Sequence, residues 1–191
     1  MKLLVSGATK TVRRLLDKQP QANRWLGSLI TPHSGNRIES VLNLGCSWAA
    51  DNSAYSNWCE VAWLSMLERI AGKPRLLWAT IPDVVGDAKG TLDLFEKYSP
   101  RMSHLPRAFV AQDGAEVAGV PWDAIDCLFI GGTTEWKLSG LALSLVEQAK
   151  KRSKQVHMGR VNTLRRLRLA KAWGCDSIDG TSMSMFRRPL H

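Results

Sequence analysis

The sequence predicts an α/β fold, a compact (β/α)8-like TIM barrel built as one domain over residues 1–191. Three observations predict it. Apolar runs of strand length recur without apolar–polar alternation, the pattern of parallel strands buried on both faces. Helix-like stretches separate these runs, as in chains of parallel β/α units. The chain has 191 residues, one domain by default and short of the roughly 250 typical of a full barrel, so the barrel is a trimmed one. A doubly wound sheet shares the first two observations.

The elements follow in order. Residues 3–6 form a first strand. Residues 17–40, with Pro20, Gly27, Pro32 and Gly35, read as a long loop or short irregular helices. Further strands fall at 41–44, 76–80, 108–111, 127–130, 155–158 and 177–179. A helix over 57–71 has an apolar stripe at Val61, Leu64, Leu67 and Ile70. A second helix covers 86–98. A third covers 139–151, starting at a Ser and turning basic at its end, as capping and the helix dipole favour. A fourth covers 163–173, with Asn162 as N-cap and Gly174 as the C-terminal stop.

Composition bounds the function. At 45% hydrophobic and 23% charged residues, the chain is an ordinary globular protein with a real core. Its net charge of +9 is concentrated at one end. Residues 150–191 hold 11 Lys and Arg against 2 acidic residues, and the rest of the chain is balanced. That basic face favours a polyanion such as nucleic acid. Cys46, Cys59, Cys127 and Cys175 form no CxxC pair. They read as reduced core residues of a cytoplasmic protein, with no metal site. No apolar run reaches 18 residues and no signal peptide is evident, so no membrane partner is expected.

In a parallel barrel, chemistry gathers at the C-terminal ends of the strands. There the chain places Asp51 to Tyr55, Asp83, Gln112, Gly131-Gly132 with Glu135, His157 to Gly159, and finally Asp179. Carboxylates and an amide suit the edge of a purine-like base, because a carboxylate accepts from both a ring N–H and an exocyclic amine. A glycine pair lets a flat ring approach the main chain. A separate carboxylate is a candidate nucleophile at a sugar carbon, as in retaining glycosyl transfer. Asp87 and Asp113 read as capping or solvent-facing groups, Asp176 as structural, and His157 as a buried histidine outside the catalytic set. Trp48, Tyr55, Trp136 and Trp173 are candidates to stack on an extruded base, although burial is the commoner fate of Trp.

These segments, in this order, resemble the tRNA-guanine transglycosylase superfamily, and within it the DNA 7-deazaguanine transglycosylases. The similar segments are Asp51-Asn-Ser-Ala-Tyr55, Pro82-Asp83, Val110-Ala-Gln112-Asp-Gly114, Ile130-Gly131-Gly132-Thr-Thr-Glu135, and His157-Met-Gly159 with Gly174-Cys-Asp-Ser-Ile-Asp179. The family's cysteine–histidine zinc site is missing. Ser53-Ala54 replaces a glycine pair, and Gly159-Arg-Val161 replaces Gly-Val-Gly. The resemblance implies base exchange on a nucleic acid, DNA rather than tRNA because the zinc element is absent, with guanine replaced by a free 7-deazaguanine. It implies Asp179 as the nucleophile forming a covalent glycosyl intermediate and Asp51 as the proton-transfer group. Asp83, Gln112, Gly131, Gly132, Glu135 and Tyr55 would bind the flipped base, and Arg160, Arg165, Arg166, Arg168, Arg187 and Arg188 the nucleic-acid backbone. No cofactor is implied, and a homodimer is. Two alternatives stand beside this pentosyltransferase: an N-glycosylase or nucleoside hydrolase using water, and a non-catalytic nucleic-acid-binding barrel.

Overall fold

The computed structural model describes residues 1–7, 9–33 and 38–180. Eight parallel strands close into a barrel in sequence order: β1 (Lys2–Ser6), β2 (Leu26–Ile30), β3 (Ser47–Ala50), β4 (Leu76–Thr80), β5 (Arg107–Ala111), β6 (Cys127–Ile130), β7 (Gln155–Met158) and β8 (Ser177–Asp179). Pairing of β1 with β8, Leu4 opposite Asp179, completes the circle. The helices between them are α1 (Thr9–Lys18), α2 (Ile38–Leu42), α3 (Glu60–Ile70), α4 (Ala88–Tyr98), α5 (Ala115–Ala118), α6 (Thr134–Lys137), α7 (Gly140–Lys151) and α8 (Leu164–Ala172). The expected barrel is therefore present, with eight strands where the sequence suggested seven.

The strands sort their side chains by alternation. Leu4, Leu29, Ala49, Trp78, Ala108, Val110, Cys127 and Phe129 form a cluster of their own inside the barrel. Their neighbours Trp48, Ala79, Phe109, Leu128, Ile130, Val156, Met158 and Ile178 belong to the larger layer between sheet and helices. Trp78 and Phe129 meet edge to face inside, with centroids 5.6 Å apart. The His157 ring packs against both, at 4.7 and 4.5 Å. The interior is thus filled by a few large rings beside small residues.

Two sequence expectations are corrected. The apolar run at 41–44 is not a strand. It belongs to α2 and the turn after it, and the strand is Ser47–Ala50. Short apolar runs fit a buried helix as well as a strand. The region 17–40 holds a short 3-10 turn (Pro20–Arg24), in line with the expected short helices, but it also contains β2, which was not expected. Gly27 hid that strand. A Cβ there would lie 2.6 Å from the Ser47 carbonyl oxygen and 2.7 Å from Leu4 Cδ2, so the close approach of β2 to β3 and Leu4 requires glycine.

Helix ends follow their capping chemistry. Ser139 accepts from the amides of Leu141 and Ala142 and starts α7 as expected. The cap of α8 is Thr163, which accepts from Arg166 N, rather than Asn162. Gly174 takes the left-handed conformation, φ +76°, expected of a C-terminal stop. On α3 the buried side chains are Trp63, Met66, Leu67 and Ile70, while Val61 is exposed, so the inward stripe is rotated from the expected one. Among the described residues, no helix is long and apolar enough to cross a membrane.

Candidate active site at the barrel rim

Asp51, Asp83, Gln112, Gly131-Gly132, Arg160 and Asp179 all stand at or just beyond the C-terminal ends of their strands, so the closed barrel brings them to one rim. A cavity of about 70 Å3 there is lined by Asp51, Asn52, Tyr55, Asp83, Gln112 and Arg160, with Val85, Val110, Phe129, Gly131 and Gly132. Asp51 leaves β3 with its amide bonded to the Ile30 carbonyl at 2.8 Å, which continues the ladder to β2 and fixes where the carboxyl emerges. Its Oδ1 accepts from the Ser53 amide at 3.2 Å.

Asn52, 1% exposed, ties the β3 and β4 ends together. Its amide donates to Thr80 Oγ1 at 2.7 Å. Its Nδ2 donates to the Ile81 carbonyl at 2.7 Å and to Asp83 Oδ1 at 2.8 Å. Gln112 plays the same part between β4, β5 and β6. Its Nε2 donates to Asp83 Oδ2 at 2.6 Å, and its Oε1 accepts from the Gly86 and Gly132 amides at 2.9 and 2.8 Å. The Gln112 amide is therefore spent inside the protein and acts as a brace. The Gly131 amide bonds the Ala111 carbonyl and the Gly132 carbonyl accepts from Arg160 Nη2. The glycine pair does not offer its amides to a ligand, contrary to expectation.

Asp83 has two of its roughly four lone-pair positions filled and keeps the rest for another donor. Burial pushes its pKa up to about 6, against the pull of Asn52, Gln112 and Arg160. Burial, with the neighbouring charges of Asp179 and Asp83, pushes Asp51 up to about 7. Asp179 moves the other way. Burial raises it, but His157, the Arg160 amide and Lys137 outweigh burial and hold the carboxyl below its usual range. The Arg160 amide donates to Asp179 Oδ1 at 2.5 Å. His157 Nε2 lies 3.6 Å from Asp179 Oδ2, an electrostatic contact longer than a hydrogen bond. His157 is fully buried, and burial lowers its pKa against the opposing pull of Asp179. Its Nδ1 is 2.8 Å from Ser177 Oγ. Donation by that hydroxyl leaves the ring proton on Nε2, facing Asp179. The opposite displacement of Asp51 and Asp179 is the arrangement that separates a proton carrier from a permanently charged carboxylate.

Two contributors escaped the sequence reading. Lys137, 2% exposed, donates from Nζ to the Gly159 carbonyl at 2.8 Å, and burial lowers its pKa to about 7. Nothing in the Thr134–Lys137 segment signals an inward lysine, because an exposed lysine is the ordinary outcome on so short a helix. Asn52 was passed over beside its acidic neighbour. Arg160, expected on a backbone-binding surface, instead lines the cavity, with its guanidinium 4.2 Å from the centroid of the exposed Tyr55 ring.

The other predicted residues lie apart. Glu135 is exposed and does not line the cavity. Arg165 and Arg168 are exposed on α8, while half-buried Arg166 donates to the Arg160 carbonyl and Thr134 Oγ1. Arg187 and Arg188 lie outside the described residues. Trp48 is buried with Nε1 on the Pro74 carbonyl, and Trp136 is buried with Nε1 on Glu116, so neither faces a ligand. Asp87 caps α4, Asp113 accepts from the Thr133 amide and hydroxyl, and Asp176 pairs with Lys150 and the Val156 amide; all three are structural. Among the described residues, no group of three or more His, Cys, Asp or Glu is placed to hold a metal ion.

No known family profile matches the chain, and no curated protein matches it. Solved structures with a similar course include BlrP1 of Klebsiella pneumoniae, a calcium/cy-diGMP complex at pH 8.0, at 13% identity and TM-score 0.39. The EAL enzyme Bd1971 in its cAMP-bound form matches at 10% identity and TM-score 0.42. Both matches cover 92% of this chain but only 42% and 46% of theirs, so the chain spans less than half their length. The expected DNA base-exchange transglycosylase, a pentosyltransferase replacing guanine by a 7-deazaguanine, is corrected on this point. These solved structures are an EAL enzyme and a cy-diGMP complex, not transglycosylases. At these scores the likeness is one of fold.

Proposed function

We propose that the rim cavity binds the edge of a flat nitrogen heterocycle of purine type, and that Asp51, which lines the cavity, carries out acid–base chemistry on the molecule so held, with Asp179 as a charged neighbour that acts on Asp51. The observation that carries this reading is the Asp83 carboxylate, held on both oxygens by Asn52 and Gln112 in a cavity that Asp51 also lines, and the split between Asp51 and Asp179 accompanies it. Asp51 is raised to about 7, where it takes up and releases a proton, and Asp179 is held ionised. Asp83, fixed on both oxygens by Asn52 and Gln112, is the acceptor for adjacent N–H donors. Arg160 and Tyr55 supply a cation and a flat face at the mouth.

Amide NMR with adenine, guanine and their nucleosides tests the proposal, with a carboxyl-carbon pH titration of Asp51. Shifts at Asn52, Gly132 and Arg160 with one of these compounds, together with an Asp51 midpoint near neutrality, are expected. Binding by none of them overturns the ligand class. An Asp51 midpoint near 4 overturns the acid–base role.

A further inference from the structure

A second cleft of about 380 Å3 opens beside the acid cavity, lined by Ala54, Trp58, Pro82, Val84 and Leu94. It shares Tyr55, Asp83 and Val85 with the cavity, so the two are adjacent and bordered by the same side chains. Their chemistry differs sharply. The cavity carries carboxylates and a guanidinium, whereas Asp83 is the one charged residue lining the cleft. Tyr55, Trp58, Val84 and Val85 are 69%, 38%, 39% and 42% exposed, an apolar group left open to solvent. Trp58 is propped from behind by Trp63 and Tyr98, with centroids 5.7 and 6.3 Å away, so its ring is held in place.

Size makes the two depend on each other. Small-molecule sites usually enclose about 300–1,000 Å3, and the acid cavity alone is far below that. A heterocycle whose donor edge reaches Asp83 has to leave the rest of its atoms elsewhere, and the adjacent cleft, which Asp83 also lines, extends from Tyr55 and Val85 toward Trp58.

We infer that the Trp58–Val84 cleft is a second subsite, which receives the apolar or aromatic remainder of the molecule whose polar edge lies against Asp83. This rests on the ligand class proposed above. It adds that the ligand has two parts, an N–H-rich edge and a flat apolar body, and that the cleft sets affinity for the body.

The test uses two probes with the same guanidine-type edge, 2-aminoimidazole and 2-aminobenzimidazole, which differ by one fused benzene ring. Dissociation constants are measured by NMR titration for the wild type, Trp58→Ala and Val84→Ser, with folding of each variant checked by its amide spectrum. The wild type is expected to bind the larger probe about tenfold more tightly, from burial of the added ring. Both variants are expected to lose most of that preference and to keep their affinity for 2-aminoimidazole. Val84→Ser removes apolar surface without disturbing the Trp58–Trp63 packing, so it decides the matter if Trp58→Ala fails to fold. Equal affinity of the wild type for the two probes, or a preference that survives Val84→Ser, overturns the second subsite and leaves the edge-binding reading standing. Failure of both probes to bind overturns the edge-binding reading, and the subsite with it.

Discussion

Gln112 Nε2 donates to Asp83 Oδ2 at 2.6 Å, while the same side chain's Oε1 holds the Gly86 and Gly132 amides. One amide group thereby fixes the loops after β4 and β6 and orients a site carboxylate. Gln112→Glu keeps the shape but replaces the donor with a second acid facing Asp83. It is expected to lower stability by about 2 kcal/mol at pH 8, the scale of a buried hydrogen bond turned into an unpaired polar contact. The loss should shrink at pH 5, where the two carboxyls share a proton. Urea unfolding at the two pH values checks this; an equal loss at both refutes it.

Asp51 has a folded pKa of about 7, raised by burial above its unfolded value near 4. Between those values the native state keeps a proton that the unfolded chain has released. The contribution of this group to stability therefore falls as pH rises from about 4 to 7 and stays low above that. Asp83, raised to about 6, adds in the same direction. Asp51→Asn removes the charge and should stabilise the protein at pH 8 by on the order of 2 kcal/mol, a few degrees in Tm, with much less gain at pH 4.5. Thermal melts across this range measure the difference. A gain independent of pH contradicts the assignment.

His157 and Asp179 are coupled across 3.6 Å. His157→Gln removes the ring that faces the carboxylate, and the Asp179 pKa should then rise toward or past its ordinary value, since burial acts unopposed by this neighbour. The Asp179 carboxyl-carbon titration reads the shift directly. No upward movement places the stabilisation of the charge with Arg160 and Lys137 instead.

Gly132 has φ +69°, and a Cβ there would sit 2.5 Å from Trp136 Cε3. Gly132→Ala combines backbone strain with a clash against a buried ring and should cost about 2–4 kcal/mol. Gly140, with open space around its Cβ position in α7, is the control. There the same substitution should be neutral or stabilising by up to about 1 kcal/mol. Denaturant midpoints of the two variants separate the cases, and similar midpoints would remove the special role of Gly132.

Much of the molecule was determined by sequence alone. Continuous apolar runs marked six of the eight strands, because a parallel strand buried on both faces needs apolar residues throughout. The runs placed Asp83, Gln112 and Asp179 at or just beyond strand ends on one rim, whereas Asp51 reaches it from β3 and not from the run at 41–44 after which it was expected. Tertiary structure decided the rest. β2 was invisible because its glycine answers to Ser47 and Leu4 on other strands, and β3, Ser-Trp-Ala-Ala, lacks the branched residues that announce a strand. Whether the Gln112 amide faces a ligand or a carboxylate depends on what stands opposite it across the barrel. So do the inward turn of Lys137 and the packing of Arg160 against Tyr55. The two opposed pKa shifts exist only after closure, when burial and the fields of residues more than a hundred positions apart act on the same few carboxyl groups. A linear pattern fixes which residues reach the rim, and only packing sets the charges they carry there.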